Sequence, residues 1–187
     1  DMKGKTFAIP STQSSHYILL LEELQKAGLT LDDIQVTQLA PSEMPSSLAS
    51  GAIDGYCVAE PFGAQAVTNG FGNVLARSDK LWEDSVCCGL IFRTDVIEQD
   101  PEAFQTFLEK YQEAGKKLDK EEATRIAENY LGQDAKTLET SLEWISYDDL
   151  KITRDAYDDL YEKVLSDHMI ENPPTYDDFV YTTDGKE

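Results

Sequence analysis

The chain has 187 residues, of which 41% are hydrophobic and 10% aromatic, enough for the core of one large domain or two small lobes. Its 36 acidic and 16 basic residues give a net charge of -20, which repels phosphate backbones and anionic lipid headgroups. No nucleic acid partner is therefore expected, and no stretch approaches the roughly 20 apolar residues that span a bilayer.

The first elements form a strand-helix unit. Residues 5–9 alternate as a strand does and end at Pro10. A helix capped by Ser14 or Ser15 follows, with apolar residues at helical spacing and Gly28 as its left-handed stop. The sequence therefore opens as an α/β protein does.

The same pattern continues to about residue 76. Its predicted elements are a strand over 34–39, a short helix opened by Ser42 and closed by Gly51, a strand over 53–59, a helix over 62–68 and a strand over 73–76. Strands separated by helical segments predict a mostly parallel, right-handed α/β sheet.

Helical patterns dominate after the apolar run 86–92. One helix is predicted from Asp100 and Pro101 through Leu118, and Asp119 opens a second that ends near Gly132. A third helix, capped by Thr153, carries an apolar face made of Tyr157, Leu160, Tyr161, Val164 and Leu165. Its acidic side is typical of a solvated helix face.

Few residues are suited to metal or disulfide chemistry. Cys57, Cys87 and Cys88 are an odd set with two adjacent members, which argues against a disulfide scaffold and favours free thiols. His16 and His168 are the only histidines, and neither CxxC nor HxxxH spacing occurs. We expect no metal site and no cofactor.

Three segments, in this order, carry a family resemblance. They are Met-Lys-Gly-Lys at 2–5 leading to Ser-Ser-His at 14–16, Gly-Ala-Ile-Asp-Gly at 51–55 followed by Ala-Glu-Pro-Phe at 59–62, and Val-Cys-Cys-Gly-Leu at 86–90. Together they resemble ABC-transporter substrate-binding proteins of the nitrate, sulfonate, taurine and thiamine-precursor group. The resemblance extends through essentially the whole chain and is weaker in the helices.

This resemblance implies a type II periplasmic-binding-protein fold whose N-terminal part is missing. Residues 1–85 would form one complete α/β ligand-binding lobe, 86–93 a strand crossing the hinge, and 94–187 the helical remainder of the other lobe. Helices that lack the sheet they normally cover need another cover, so they should collapse on one another, swap with a neighbouring chain in a self-associated form, or bind the lost N-terminal fragment.

The resemblance also implies the function. It predicts an extracytoplasmic solute-binding protein, periplasmic or lipid-anchored on the outer face of the cell membrane, that delivers a small polar ligand to the permease of an ABC importer. The ligand would be a sulfonate, a taurine-like zwitterion, a nitrate-like anion or an amino-pyrimidine. No catalytic residue is implied.

The first candidate site residues are Thr12, Ser14, Ser15 and His16. Ligands of open α/β sheets gather outside the carboxyl ends of the strands, where this turn is expected to lie. Free backbone N–H groups and serine hydroxyls at a helix start suit an anionic or strongly polar group. Plain helix capping would explain one serine, and packing or solvation would explain His16.

Three further candidates follow later strands. Glu60 ends an apolar strand and could accept hydrogen bonds from an amino group of the ligand, or it could hold the hinge through Pro61. Ser42 and Met44 could line the pocket, or be a cap and a core residue. Asp54, at the opposite end of the sheet, is predicted to be structural.

Two other functions remain open from sequence. Fungal thiamine-pyrimidine synthases, single-turnover enzymes, share the resemblance but have a dense cysteine run where this chain keeps only Cys87 and Cys88. Ligand-sensing domains of transcription regulators share the general fold but need a basic DNA-binding helix pair, which these residues do not contain.

Overall fold

The computed structural model describes residues 2–148 and 150–181. Its sheet contains β1 (Thr6–Ile9), β2 (Gln35–Gln38) and β3 (Gly55–Tyr56), all parallel, in the order β2-β1-β3. The central strand β1 therefore sets the positions of the two outer strands. This arrangement confirms the predicted parallel α/β sheet.

The helices follow in chain order. They are α1 (Ser15–Lys26), α2 (Met44–Ala49), α3 (Phe62–Thr68), α4 (Ser78–Leu81), α5 (Thr94–Gln99), α6 (Pro101–Lys117), α7 (Lys120–Ile126), α8 (Ala135–Trp144), α9 (Arg154–Ser166) and α10 (Tyr176–Phe179). Short 3-10 turns occupy Leu31–Asp33 and Pro41–Glu43, and a π-helical turn occupies Ala127–Leu131. No helix in the described ranges is both long and apolar enough to cross a bilayer.

The two faces of β1 pack against different helices. Ile9 packs with Leu20 and Leu24 of α1, whereas the adjacent Ala8 packs with Met44 of α2 on the other face. Successive strand residues point to opposite faces, so this split follows directly from the sequence. The sheet is covered on both sides, and the start of α1 lies just beyond the carboxyl end of β1.

The third helix predicted from sequence packs on this lobe. In α9, Val164 shares a buried cluster with Ile18, Leu19 and Trp82. The α8 helix contacts α3, where the hydroxyl oxygens of Thr68 and Thr137 lie 3.2 Å apart. The boundary of a second lobe at residue 94 stays a prediction, but both helices contact residues before it, α8 at α3 and α9 at Ile18, Leu19 and Trp82.

Two predicted strands are absent from the described structure. Residues 73–76 and 86–93 form no ladder with a described strand, and Leu75 and Ile91 are exposed to 65% and 88%. A strand needs hydrogen-bonding partners as well as apolar residues. The strand assignment for both segments is therefore wrong here, although the role of 86–93 as a hinge crossing stays a prediction.

Candidate functional site

The turn between β1 and α1 is held by its own hydrogen bonds. The Ser14 hydroxyl donates to the Ser11 carbonyl at 2.7 Å, and the Ser14 backbone N–H donates to the same oxygen at 3.2 Å. The Ser11 hydroxyl accepts from the Gln13 N–H at 3.1 Å. These hydrogen bonds fix the conformation of the turn at the carboxyl edge of the sheet.

Gln38 fastens this turn to the neighbouring strand. It is the last residue of β2, and its Oε1 accepts from the backbone N–H of Thr12 at 3.3 Å. Thr12 therefore lies at the predicted edge, but its N–H is already used. Gln38 was not predicted as a site residue, because a glutamine at the end of a strand carries no distinctive local signal.

The first turn of α1 has unused donors. Ser14 is the N-cap residue, as predicted, but its hydroxyl makes no capping hydrogen bond because it bonds Ser11. The Tyr17 N–H donates to the Ser14 carbonyl at 3.0 Å, whereas the N–H groups of Ser15 and His16 have no acceptor among the described residues. Two N–H groups at a helix N-terminus can bind a small anion.

His16 adds a polar side chain beside these donors. Its side chain is partly buried, and this burial lowers its pKa below the ordinary value of 6.5. The imidazole is therefore neutral at pH 7 and carries one ring N–H. A neutral imidazole can donate to an oxyanion without bringing a charge into the site.

Segment 86–93 brings thiols to the same edge. The Ser15 side chain lies close enough to Cys87 to lower the pKa of its thiol against the larger raising effect of burial, and the Sγ of Cys87 lies 3.6 Å from that of Cys88. Neighbouring side chains of a regular strand point to opposite faces, and the short separation shows that these two do not. No group of three or more His, Cys, Asp or Glu side chains in the described part of the chain could hold a metal ion.

Glu60 is engaged by the helices around it. Its Oε2 accepts from the Ala64 N–H of α3 at 3.1 Å, and the buried Ser141 side chain of α8 lies close enough to lower the pKa of the carboxyl against the larger raising effect of burial. Burial raises the pKa of Glu60, and burial together with the charge of Glu60 raises the pKa of Tyr56 to about 12. Glu60 thus joins α3 to α8.

The remaining candidates lie in the core, on the surface and at the opposite end of the sheet. Met44 is fully buried against Ala8, which makes it a core residue that solvent does not reach. Ser42 is exposed within the 3-10 turn before α2 and does not cap that helix. Asp54 accepts from the Thr6 N–H at 2.9 Å at the amino end of β1, which confirms its predicted structural role.

Named relatives share part of this sequence. The chain is 30% identical over 123 residues to the nitrate/nitrite binding protein NrtA of Nostoc, a match that covers 65% of this chain and 28% of that one. It is 36% identical over 75 residues to an aliphatic sulfonates-binding protein of Escherichia coli K12, covering 40% and 23%. The names of both relatives describe binding proteins.

A solved structure has the same architecture. The ligand-binding component of an ABC-type import system from Staphylococcus aureus, crystallised with zinc bound, superposes with a TM-score of 0.91 at 34% identity. The match covers 96% of this chain and 62% of that one, and the chain spans about half the length of the curated relatives it matches. The predicted α/β architecture, part of a type II periplasmic binding protein, is confirmed.

The family follows from the sequence as a whole. A model of the NMT1-like family matches residues 1–132, more than two thirds of the chain, and this range includes the β1-α1 turn, the sheet and the cysteine pair. The chain belongs to the NMT1-like family.

Proposed function

We propose that the chain is the ligand-binding part of an extracytoplasmic solute-binding protein that delivers a small anion to an ABC importer. The observation that carries the proposal is the pair of unused N–H groups on Ser15 and His16, at the N-terminus of a 12-residue helix. The turn before them is fixed by hydrogen bonds, so the donors are pre-organised.

An oxyanion is the ligand group that fits these donors. A sulfonate, nitrate or carboxylate oxygen can accept from two adjacent N–H groups, and the positive end of the helix dipole favours its charge. The neutral His16 ring can supply a third donor. The relatives named for nitrate and sulfonates support this ligand class.

The hydrogen bonds of Glu60 bear on the choice of ligand. An amino group on the ligand was attractive because it would pair with this carboxylate. Since Glu60 already accepts from the Ala64 N–H and lies partly buried beside Ser141, the case for a zwitterion or an amino-pyrimidine loses its main support. We therefore place simple alkanesulfonates first and nitrate second.

The whole protein would work as the family resemblance implies. It would bind its ligand outside the cytoplasm, in the periplasm or anchored by lipid to the outer face of the cell membrane, and present it to a membrane permease. It would catalyse no reaction. Self-association of this chain belongs to the same proposal, because Ile91 and Phe107 leave apolar surface exposed.

Thermal unfolding against a ligand panel tests this function. The panel contains methanesulfonate, taurine, nitrate and an aminopyrimidine, with sodium chloride as an ionic-strength control. A ligand at 100 times its Kd stabilises a protein by about 2.7 kcal/mol, which is readily seen as a rise in Tm. We expect methanesulfonate to raise Tm above the chloride control, and a rise with the aminopyrimidine alone would contradict the anion assignment.

A further inference from the structure

The two adjacent cysteines have an unusual mutual geometry. Cys87 and Cys88 lie in an extended, exposed segment, and their Sγ atoms are 3.6 Å apart. In a regular strand, neighbouring side chains point to opposite faces and their sulfurs would be well separated. Here the local backbone brings both thiols to one side.

Closing a bond between these sulfurs requires little movement. A disulfide is about 2.05 Å long, so the atoms need to approach by roughly 1.5 Å. Adjacent Cα atoms are about 3.8 Å apart, less than the roughly 4.4–6.8 Å of ordinary disulfides, so the small ring is strained and easily reduced. Segment 86–93 has no ladder partner among the described strands, which leaves its backbone free to adjust.

The third cysteine is placed differently. Cys57 follows β3, packs against the hydrophobic clusters around α1, and its N–H donates to the Ala8 carbonyl at 2.9 Å. Burial, with the nearby Cys87, raises the pKa of Cys57 to about 12, and burial raises the pKa of Cys87 to about 11; the difference between the sites is exposure, since Cys57 is half-buried whereas Cys87 and Cys88 are exposed. The exposed pair is therefore the accessible place for thiol chemistry in this chain.

We propose that Cys87 and Cys88 are a redox modification site that closes reversibly to a vicinal disulfide. The oxidant is an organic disulfide. One cysteine thiolate attacks a sulfur of that disulfide, whose S–S bond breaks and releases one thiol; the second cysteine then attacks the mixed disulfide and releases the other. The protein loses two electrons and two protons, and the oxidant is reduced to two thiols.

The site adjoins the proposed ligand edge, because the Ser15 side chain lies near enough to Cys87 to influence the pKa of its thiol. Oxidation can still be measured with no ligand present. A failure of the disulfide and a failure of the proposed binding function are therefore distinguishable.

Trypsin separates the three cysteines conveniently. Cleavage after Lys26, Arg77, Lys80 and Arg93 gives peptide 27–77 with Cys57 and peptide 81–93 with both Cys87 and Cys88. The chain is incubated with glutathione disulfide, quenched in acid, denatured, alkylated with iodoacetamide and digested. We expect peptide 81–93 to lose two hydrogen atoms and remain unalkylated, while peptide 27–77 carries one alkyl group.

Two variants complete the test. Cys88→Ser should stop at a mixed disulfide with glutathione on Cys87, and Cys57→Ser should close the ring as the unmodified chain does. Full alkylation of peptide 81–93 after oxidation would overturn the proposal. A cross-link between peptides 27–77 and 81–93 would overturn it equally, because Cys57 would then be the true partner.

Discussion

Lys163 of α9 contacts Glu22 of α1, with its Nζ 2.5 Å from Glu22 Oε1. Both side chains are largely buried, at 21% and 27% exposure, and the ammonium also lies 5.4 Å from the centre of the Trp82 ring. This ion pair joins a helix near the end of the chain to the first helix of the α/β lobe. It therefore fixes α9 on the lobe that carries the proposed site.

The Lys163→Met substitution removes the ammonium and keeps an apolar stem against Trp82. Glu22 would then be left partly buried without its partner, and we expect the free energy of unfolding to fall by about 1–2 kcal/mol in urea denaturation. Lys110→Met is the matched control, since Lys110 pairs with Glu113 on an exposed surface. Equal effects of the two substitutions would show that the α1-α9 ion pair has no special role.

Gly55 of β3 has no space for a side chain. A Cβ at this position would lie 2.5 Å from Cε1 of the Phe7 ring on the neighbouring strand. Gly55→Ala should destabilise the chain by about 1–3 kcal/mol through overpacking. Gly89→Ala is the control, because its Cβ would meet only Ile152 Cδ1, at an ordinary 3.7 Å. A neutral Gly55→Ala would mean that Phe7 turns away without cost.

His16 should make stability depend on pH. Burial lowers its pKa in the folded chain below the unfolded value of about 6.5, so the unfolded state binds the proton more tightly. The stability it contributes is present above about pH 6.5 and is lost as the pH falls through the folded pKa. Urea denaturation between pH 7.5 and 5.5 should show a steeper decline for the unmodified chain than for His16→Gln. Parallel curves would contradict the burial of His16.

Substitutions of Glu60 distinguish a direct ligand contact from a structural role of this residue. Glu60→Gln keeps an acceptor for the Ala64 N–H, so we expect anion affinity to change by less than about twofold. Glu60→Leu removes the acceptor of the Ala64 N–H and should lower the free energy of unfolding by about 1–3 kcal/mol. Loss of ligand affinity in Glu60→Gln, measured by calorimetry, would favour direct contact instead.

Local patterns predicted the elements that depend on neighbours in sequence. The helix at 62–68 was predicted at its observed bounds, and Asp100 caps α6 as expected, with its carboxylate 2.9 Å from the Ala103 nitrogen. Segments 73–76 and 86–93 failed because apolar composition says nothing about whether another strand lies alongside. Whether a segment forms a strand depends on a partner strand that is distant in sequence, and the local sequence carries no information about that partner.

Helix α8 was not predicted from sequence, for a different reason. Asp134 caps it through the Thr137 N–H, but its buried positions include Thr137 and Ser141, which break the apolar periodicity. Thr137 is buried with a hydrogen-bond partner, Thr68, across the interface with α3, and Ser141 is buried near the Glu60 carboxyl. The role of Glu60 was ambiguous from sequence for the same reason, since its partner lies 81 residues away.

The site itself was only partly predictable. Placing Ser14, Ser15 and His16 at one edge follows from the βα unit, which is a local feature. The use of the Ser14 hydroxyl by Ser11, and of Gln38 by Thr12, depends on turn geometry and on the register of β2 beside β1. The donors that remain free are therefore identified only in three dimensions.

We propose that the Ser15 and His16 N–H groups bind an oxyanion, and two substitutions at Ser15 isolate the backbone donor. Ser15→Pro removes the N–H at the first helical position, where proline is tolerated; the preceding Ser14 already has extended dihedrals of φ -111 and ψ 156. Ser15→Ala removes only the hydroxyl and is the matched control.

A nitrogen-proton NMR titration with methanesulfonate tests this binding most directly, since it detects weak binding at individual amides. We expect the largest saturable shifts on the amides of Ser15 and His16. Ser15→Ala should retain the His16 shift, and Ser15→Pro should weaken binding by about tenfold or more, the loss expected for a charge-assisted hydrogen bond. Saturable shifts confined to other residues, or undiminished affinity in Ser15→Pro, would contradict it.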